Sequence, residues 1–246
     1  MKRVSVCMAT YNGGKYIHQQ IKSILVQLDV NDELVISDDG SSDNTLVIIN
    51  SFNDDRIKVV ANKNKKGPVG NFENAILNSR GNYIFLADQD DIWYENKIKV
   101  MVDYLQKYDV VTCDCKVVND ELEELSPSYF AYINSGPGFI KNLKRNTYMG
   151  NCMAFKREIV NSILPFPPNI PNHDLWIGAV ADLFYKPYFI PQILGLHRRH
   201  NSNASNTFDV KMKTSVFKKI NKRLILFANL PSLFIKMYKI KKTNQV

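Results

Sequence analysis

Unbroken apolar runs alternate with segments whose apolar residues recur every third or fourth position through the first half of this chain. RVSVCMATY (3–11) reads as a buried strand. KYIHQQIKSILVQL (15–28) reads as a helix, with Ile17, Ile21, Ile24, Leu25 and Leu28 on one face. ELVISDD (33–39) predicts a second strand, and DNTLVIINSF (43–52) a helix that Ser42 or Asp43 can cap. IKVVAN (57–62) predicts a third strand, VGNFENAILNSR (69–80) a helix closed by Gly81, and YIFLAD (83–88) a fourth strand. WYENKIKVMVDYLQKY (93–108) has the helical period again, and DVVTCDCKVVN (109–119) predicts a fifth strand. This alternation with short connections is the pattern of an α/β domain with a mostly parallel, doubly wound sheet flanked by helices. Beyond residue 120 the pattern loosens, and residues 120–148 read as a long loop able to act as a lid. NCMAFKREIV (151–160) predicts a strand running into a short helix, and HDLWIGAVADLFY (173–185) a helix. YFIPQILGLHRRH (188–200) contains a strand that Pro191 disfavours at a central place in a sheet.

Ligands of such sheets bind beyond the C-terminal strand ends. The unusual polar residues fall there: TYNGG after the first strand, DDGSSD after the second, DQDD after the fourth. In DQDD three carboxylates, Asp88, Asp90 and Asp91, lie within four residues. Like charges so close repel by roughly 1 kcal/mol per pair in water, and about four times that in a partly desolvated site. A bound cation is a physical reason to gather them. Hard divalent ions take oxygen ligands, commonly one or two carboxylates plus substrate phosphates. Asp90, with Asp88, is therefore the candidate holder of Mn2+ or Mg2+ against a diphosphate. Asp91 alone can cap a helix starting near Trp93. Asp38, Asp39 and Asp43 also suit turn and cap chemistry, and Asp43 is the one read so. Asp174 opens a helix, where an acid complements the helix dipole. Arg198, Arg199 and His200 offer donors suited to phosphate oxygens.

VSVCMATYNGGKYI, LVISDDGSSDNT and GNYIFLADQDDIW, in this order and spacing, resemble the family-two glycosyltransferases of the GT-A (nucleotide-diphospho-sugar transferase) fold over about residues 1–120. Asp88-Gln89-Asp90 matches that family's Asp-x-Asp motif. The resemblance implies that Thr10 and Tyr11 line the nucleotide pocket and that Asp38 or Asp39 accepts the ring N–H of a uracil or thymine. It gives Asp88 to the sugar or ribose and Asp90 to the metal. Asp174 matches the position of the family's catalytic base, and the His173-Asp174-x-Trp176 form is similar to rhamnosyltransferase-like members. Arg198, Arg199 and His200 fall where related enzymes close a basic or imidazole side chain over the diphosphate or add it to the metal. MGNCMAF (149–155) matches a segment near the acceptor. The implied reaction is inverting, metal-dependent transfer of a sugar from a dTDP- or UDP-sugar to a hydroxyl of a glycan or lipid-linked acceptor, in surface polysaccharide assembly. Residues 1–120 would form the donor half and 121–210 the acceptor half carrying the base. The Gln-x-x-Arg-Trp motif of processive synthases is absent, which points to single additions.

A sugar-nucleotide nucleotidyltransferase would want a Gly- and Arg-rich loop after the first strand, which TYNGGKY is not; dinucleotide and P-loop fingerprints are also missing. Charge changes the picture at one end only. Residues 211–246 hold ten of the 32 Lys/Arg and none of the 24 Asp/Glu, which leaves 22 basic against 24 acidic residues before them. Such a tail asks for an anionic partner. VFKKINKRLILFANL (216–230) aligns Val216, Phe217, Ile220, Leu224 and Phe227, Pro231 interrupts, and SLFIKMYKIKK (232–242) resumes the mixture. This is the composition of a basic amphipathic helix pair at an anionic membrane surface. Its Leu, Ile and Phe argue against nucleic acid. Packing on the chain's own core or on a second subunit is the competing use of that face. Cys7, Cys113, Cys115 and Cys152 lack zinc spacing and read as buried reduced thiols. With no signal-peptide pattern and no apolar run near 20 residues, the expectation is a cytoplasmic protein, peripheral on the inner face of the cell membrane.

Overall fold

The computed structural model describes residues 3–200, Asn203 and 216–243, with side chains in the last segment from Arg223 onward. The elements run β1 (Val4–Thr10), α1 (Ile17–Leu25), β2 (Glu33–Asp38), α2 (Thr45–Ser51), β3 (Ile57–Ala61), α3 (Pro68–Leu77), β4 (Tyr83–Asp88), β5 (Ile92–Trp93), α4 (Lys97–Leu105) and β6 (Val110–Val118). Then follow β7 (Glu124–Ser126), α5 (Tyr129–Ile133), α6 (Phe139–Lys144), β8 (Met153–Lys156), α7 (Val160–Ile163), α8 (His173–Phe184), β9 (Pro187–Arg198) and α9 (Val216–Thr243). Among the described residues the strands form one sheet in the order β3-β2-β1-β4-β8-β6-β9-β5, with β7 on β6.

The longest pairings are parallel, as the alternation predicts: β3, β2, β1 and β4 on one side, β6 with β9 on the other. β8 joins the two groups antiparallel to both β4 and β6. Helices cover both faces. The predicted stripe of α1 buries Ile17, Ile21 and Ile24 with Met8, Ile36, Met101 and Leu105 on one face. Phe72 and Ile76 of α3, Trp176 and Ile177 of α8, and Leu226, Leu233 and Met237 of α9 fill the other. Each fully buried side chain of this kind stabilises by about 1.5–3 kcal/mol, so α9 is part of the core, not an appendage. All four cysteines are buried free thiols, and burial raises Cys7 to about 12.

Four expectations need correction. The helix read from Trp93 starts at Lys97, because Ile92 and Trp93 pair with Leu196 and Gly195 of β9. Gly195 permits that approach: a Cβ there would sit 2.7 Å from the Ile92 carbonyl oxygen. Residues 120–148 are not a bare loop. Asp114 accepts from Ser128 Oγ at 2.5 Å and Phe130 N at 2.9 Å, and Ser128 caps α5 through Ala131 N at 3.0 Å. Helices of five and six residues are too short to display a period. Pro191 lies inside β9, which β6 and β5 flank. The register jumps from Cys113–Ile190 to Asp114–Ile193, so exposed Pro191 and Gln192 bulge out and no ladder bond needs a proline N–H. The tail is one 28-residue helix rather than a pair. Pro231 lies on its exposed side, where water can serve the carbonyl that loses its donor. The side chains of Val216, Phe217 and Ile220 lie outside the described residues. Among those described, no helix is long and apolar enough to cross a membrane.

Candidate functional site

Parallel pairing of β2, β1 and β4 brings Asp38 beside Thr10 and Asp88 beside Ala9, at the C-terminal ends of these strands. Gln89 ties these strand ends together. Its Oε1 accepts from Thr10 Oγ1 at 2.6 Å and Tyr11 N at 2.9 Å, while Nε2 donates to Tyr11 O at 3.1 Å. Thr10 is buried beneath this clamp, and Tyr11 is 55% exposed above it. Gln20 of α1, itself buried, donates to Asp88 O at 2.9 Å, and Asn71 of α3 donates to Thr10 O at 3.0 Å.

The acids after β2 separate by their bonds. Asp38 is buried and closes its own turn, accepting from Gly40 N at 3.0 Å, Ser41 N at 2.9 Å and Ser41 Oγ at 2.5 Å. Gly40 has φ +88°, a conformation that favours glycine. Asp43 accepts from Thr45 N and Gly14 N, each at 3.0 Å, the turn role read for it; it does not cap α2, whose N-cap position is Asn44, and neither does Ser42. Asp39 is half-buried and holds Asn62 Nδ2 and Gly67 N, both at 2.7 Å.

One carboxylate oxygen from each of Asp88, Asp90 and Asp91 lies within 4.8 Å of the others. Their roles divide. Asp91 does not cap a helix. It is 2% exposed and faces inward, with Oδ1 3.0 Å from both His197 Nδ1 and Arg198 N, and Oδ2 accepting from Asn151 Nδ2. Burial opposes its charge, but His197 beside it keeps Asp91 below the usual carboxylate range. Burial likewise works against a charged His197, and Asp91 outweighs it and raises the imidazole. Asp90 Oδ2 meets His200 Nε2 at 2.9 Å and Asn203 Nδ2 at 3.0 Å. The His200 ring stacks on Tyr16 at 4.6 Å. Burial, then Asp91 and Asp90, push Asp88 well above the ordinary range, and Asp174 adds to that push. A carboxyl raised by burial and by neighbouring like charge that His197 offsets only in part, beside a second carboxylate and an imidazole, fits a divalent cation held by oxygen and nitrogen donors.

Arg198 is not on an open phosphate surface. It is 4% exposed, and its guanidinium is engaged within the chain: Nε donates to Asp90 O at 3.0 Å, Nη1 to Asp120 O at 2.9 Å, and Nη2 to Gln19 Oε1 at 2.7 Å. The Tyr16 ring lies 5.0 Å away. The register of β9 turns Arg198 inward, where it fixes the backbone that aims Asp90. Arg199 is half-buried and donates its N–H to Val118 O at 2.8 Å. Lysine keeps the charge of Arg198 but cannot span three separate acceptors. Arg198→Lys is expected to weaken Mn2+ binding by about 10–100-fold, as for other groups that orient metal ligands. Electron paramagnetic titration of Mn2+ checks this; unchanged affinity would reduce Arg198 to a core residue.

Asp174 stands in the first turn of α8, half-buried, with Oδ1 accepting from its neighbour Leu175 N at 2.7 Å. Its charge is felt at Asp88 and at Tyr129, which puts it within electrostatic reach of the acid loop. His173 turns the other way. It lies on Phe72 at 4.1 Å, and a Cβ at Gly150 would come within 2.5 Å of its Nε2. Burial lowers it towards the neutral imidazole. The 149–155 segment is wired to the acid loop through Asn151, which bonds Asp91 and accepts from Lys97 Nζ at 2.8 Å. Sequence reasoning missed Gln89, Gln20, Asn151, His197, Tyr16 and Asn203. Tyr16, Gln89, Asn151 and His197 lie inside the motifs it quoted, but only folding reveals their partners.

Residues 5–164 match the family described as Glycosyl transferase family 2. The dTDP-rhamnosyl transferase RfbG of Shigella flexneri is 32% identical over 227 residues, 84% of this chain and 77% of that protein. The Escherichia coli UDP-Glc:alpha-D-GlcNAc-diphosphoundecaprenol beta-1,3-glucosyltransferase WfgD is 37% identical over 107 residues, 44% of this chain and 42% of its own length. Among solved structures, the mannosyltransferase PcManGT from Pyrobaculum calidifontis, in complex with GDP-Man and Mn2+, superposes with a TM-score of 0.64 at 18% identity, a likeness of fold. It covers 82% of this chain, which spans 58% of that chain.

Proposed function

This chain belongs to glycosyl transferase family 2 and is a glycosyltransferase, and from that membership we propose that it moves a sugar from a nucleoside-diphosphate donor to a hydroxyl of a glycan or lipid-linked acceptor, with inversion and with a divalent ion. The observation that carries this reading is Asp90 joined to His200 beside the raised carboxyl of Asp88, with Asp174 in electrostatic reach of that carboxyl. A dTDP- or UDP-sugar is the favoured donor: the relatives' names carry dTDP-rhamnose and UDP-glucose. Asp39 is the better placed of the two acids for a uracil or thymine ring N–H, because Asp38 is buried in its own turn. Tyr11, exposed above Thr10, offers a face for the base.

Asp88, Asp90 and His200 would hold Mn2+ or Mg2+, which when bound neutralises charge growing on the leaving diphosphate. Asp174 takes the proton of the acceptor hydroxyl as its oxygen bonds to the anomeric carbon. The bond from that carbon to the diphosphate oxygen breaks on the opposite face, and the nucleoside diphosphate leaves. Arg198, Gln89 and Gln20 keep the acid loop and the nucleotide loop in register, which lowers the ordering cost of the reaction. In this reading residues 1–120 bind donor and 121–210 present the base. The enzyme works in surface polysaccharide assembly at the inner face of the cell membrane. RfbG, named for rhamnosyl transfer, and WfgD, named for a diphosphoundecaprenol acceptor, support that assignment.

Thermal-shift and nucleoside-diphosphate release assays over UDP-, dTDP- and GDP-sugars, with and without Mn2+, test it. The expected result is stabilisation and slow release with a UDP- or dTDP-sugar only when Mn2+ is present. Identical behaviour without metal for every donor would overturn the metal-dependent reading.

A further inference from the structure

We propose that the outer side of α9, with the adjoining end of α6, is a docking face for an anionic lipid surface. α9 carries two apolar stripes. Leu226, Leu233 and Met237 are buried, with Leu230 and Ile240 packed beside them. On the opposite side, in the same three- and four-residue steps, Leu224, Phe227, Phe234, Ile235 and Tyr238 are 59%, 47%, 51%, 59% and 70% exposed. Phe227 and Phe234 rest their edges near Phe139 at 6.5 Å and Phe184 at 5.1 Å, and present the rest outward. A helix that only closes its own core needs one stripe. A second stripe marks an interaction surface.

α6 extends that surface. Arg223 fastens the two helices, donating to Leu143 O at 3.2 Å and Lys144 O at 2.8 Å. Ile140 of α6 is exposed, and so are Lys144 and Arg145. Along α9, Lys239, Lys241 and Lys242 are exposed at the margins of the stripe. No Asp or Glu occurs between residues 125 and 157 or after residue 210.

This charge selects the occupant. A second copy would set lysine against lysine with no acid on α6 or α9 to answer it, and a nucleic acid would leave the apolar stripe in water. An anionic bilayer surface satisfies both: the aromatic and aliphatic side chains enter the headgroup boundary, and the lysines meet lipid phosphates. The face also lies one helix from the proposed base. Asn142 of α6 donates to Leu175 O at 3.3 Å, next to Asp174. A lipid-linked acceptor would thus reach the site from the surface on which the enzyme sits. That purpose rests on the proposed transfer reaction, whereas the docking face stands on its own residues.

Co-sedimentation of the full chain with phosphatidylcholine vesicles, with and without phosphatidylglycerol, tests it. The chain is expected to bind phosphatidylglycerol vesicles at low salt and leave them at high salt. Ile235→Glu with Tyr238→Glu, and separately Lys239→Glu with Lys242→Glu, should each weaken binding by about tenfold or more. Both should keep the wild-type melting temperature and turnover on a water-soluble acceptor. Vesicle binding with no sugar transfer under any condition would uphold the face and remove the transferase mechanism. Full-length protein left in the supernatant at low salt would overturn the proposal. So would variants that bind equally well, or a wild-type dimer that these variants split without changing lipid binding.

Discussion

Asp174→Asn should lower kcat by about 10²–10⁴ while nucleoside-diphosphate affinity stays within a few-fold. The two side chains have nearly the same shape, and an asparagine Oδ1 can still accept from Leu175 N, the bond Asp174 makes at 2.7 Å. The first turn of α8 therefore keeps its geometry, and His173 stays seated on Phe72. The amide cannot take a proton, and the acceptor hydroxyl remains a weak nucleophile. Because that proton moves in the transition state and not on donor binding, the loss belongs in kcat. Single-turnover measurements of transfer, beside calorimetric titration of the nucleoside diphosphate, separate the two quantities. Turnover within about tenfold of wild type would give the base role to another group. A parallel fall in donor affinity would make Asp174 a binding residue instead.

The elements that could be read from the sequence are those whose physics is local. The 3.6-residue stripe of α1 and the apolar runs of β1, β2 and β4 decide burial by themselves, and with them the strand ends that carry Thr10, Asp38 and Asp88. Turn chemistry likewise identified Asp43, although the cap position itself falls to Asn44. Contacts between distant segments were hidden. Arg198 reads as a phosphate donor because a guanidinium suits phosphate; only the register of β9 turns it onto Asp90 O and Asp120 O. Asp91 reads as a cap because it precedes a helical period, yet His197, 106 positions away, claims its carboxylate. Pro191 argues against a central strand only while pairing is assumed to be regular. The tail shows the remaining kind of ambiguity. Its composition matched both a membrane helix and a core helix, and the fold gives one stripe to the core and leaves the other outward.

Asp90→Ala should remove most metal-dependent donor binding, lowering nucleoside-diphosphate affinity in Mn2+ by at least about tenfold and flattening the response to metal. Among the acids of the DQDD loop, Asp90 alone meets His200 and Asn203 through its side chain, at 2.9 Å and 3.0 Å. Its loss takes away one of the proposed carboxylate ligands and one of the contacts that hold the His200 imidazole. Asp91 cannot replace it, because both its oxygens are engaged by His197, Arg198 and Asn151. Asp88 remains, but burial and its acidic neighbours raise its carboxyl, so a proton competes with the cation there. For the wild-type chain the proposed site should therefore bind Mn2+ more tightly as pH rises and the proton leaves Asp88. The fold should tolerate the substitution, since Arg198 holds this loop through the backbone carbonyl of Asp90, which alanine retains. Titration calorimetry with the nucleoside diphosphate, run with Mn2+ and with a chelator, reads the effect. If the variant binds donor as tightly as wild type and still responds to Mn2+, the cation is held elsewhere, and the assignment of Asp90 and His200 is wrong.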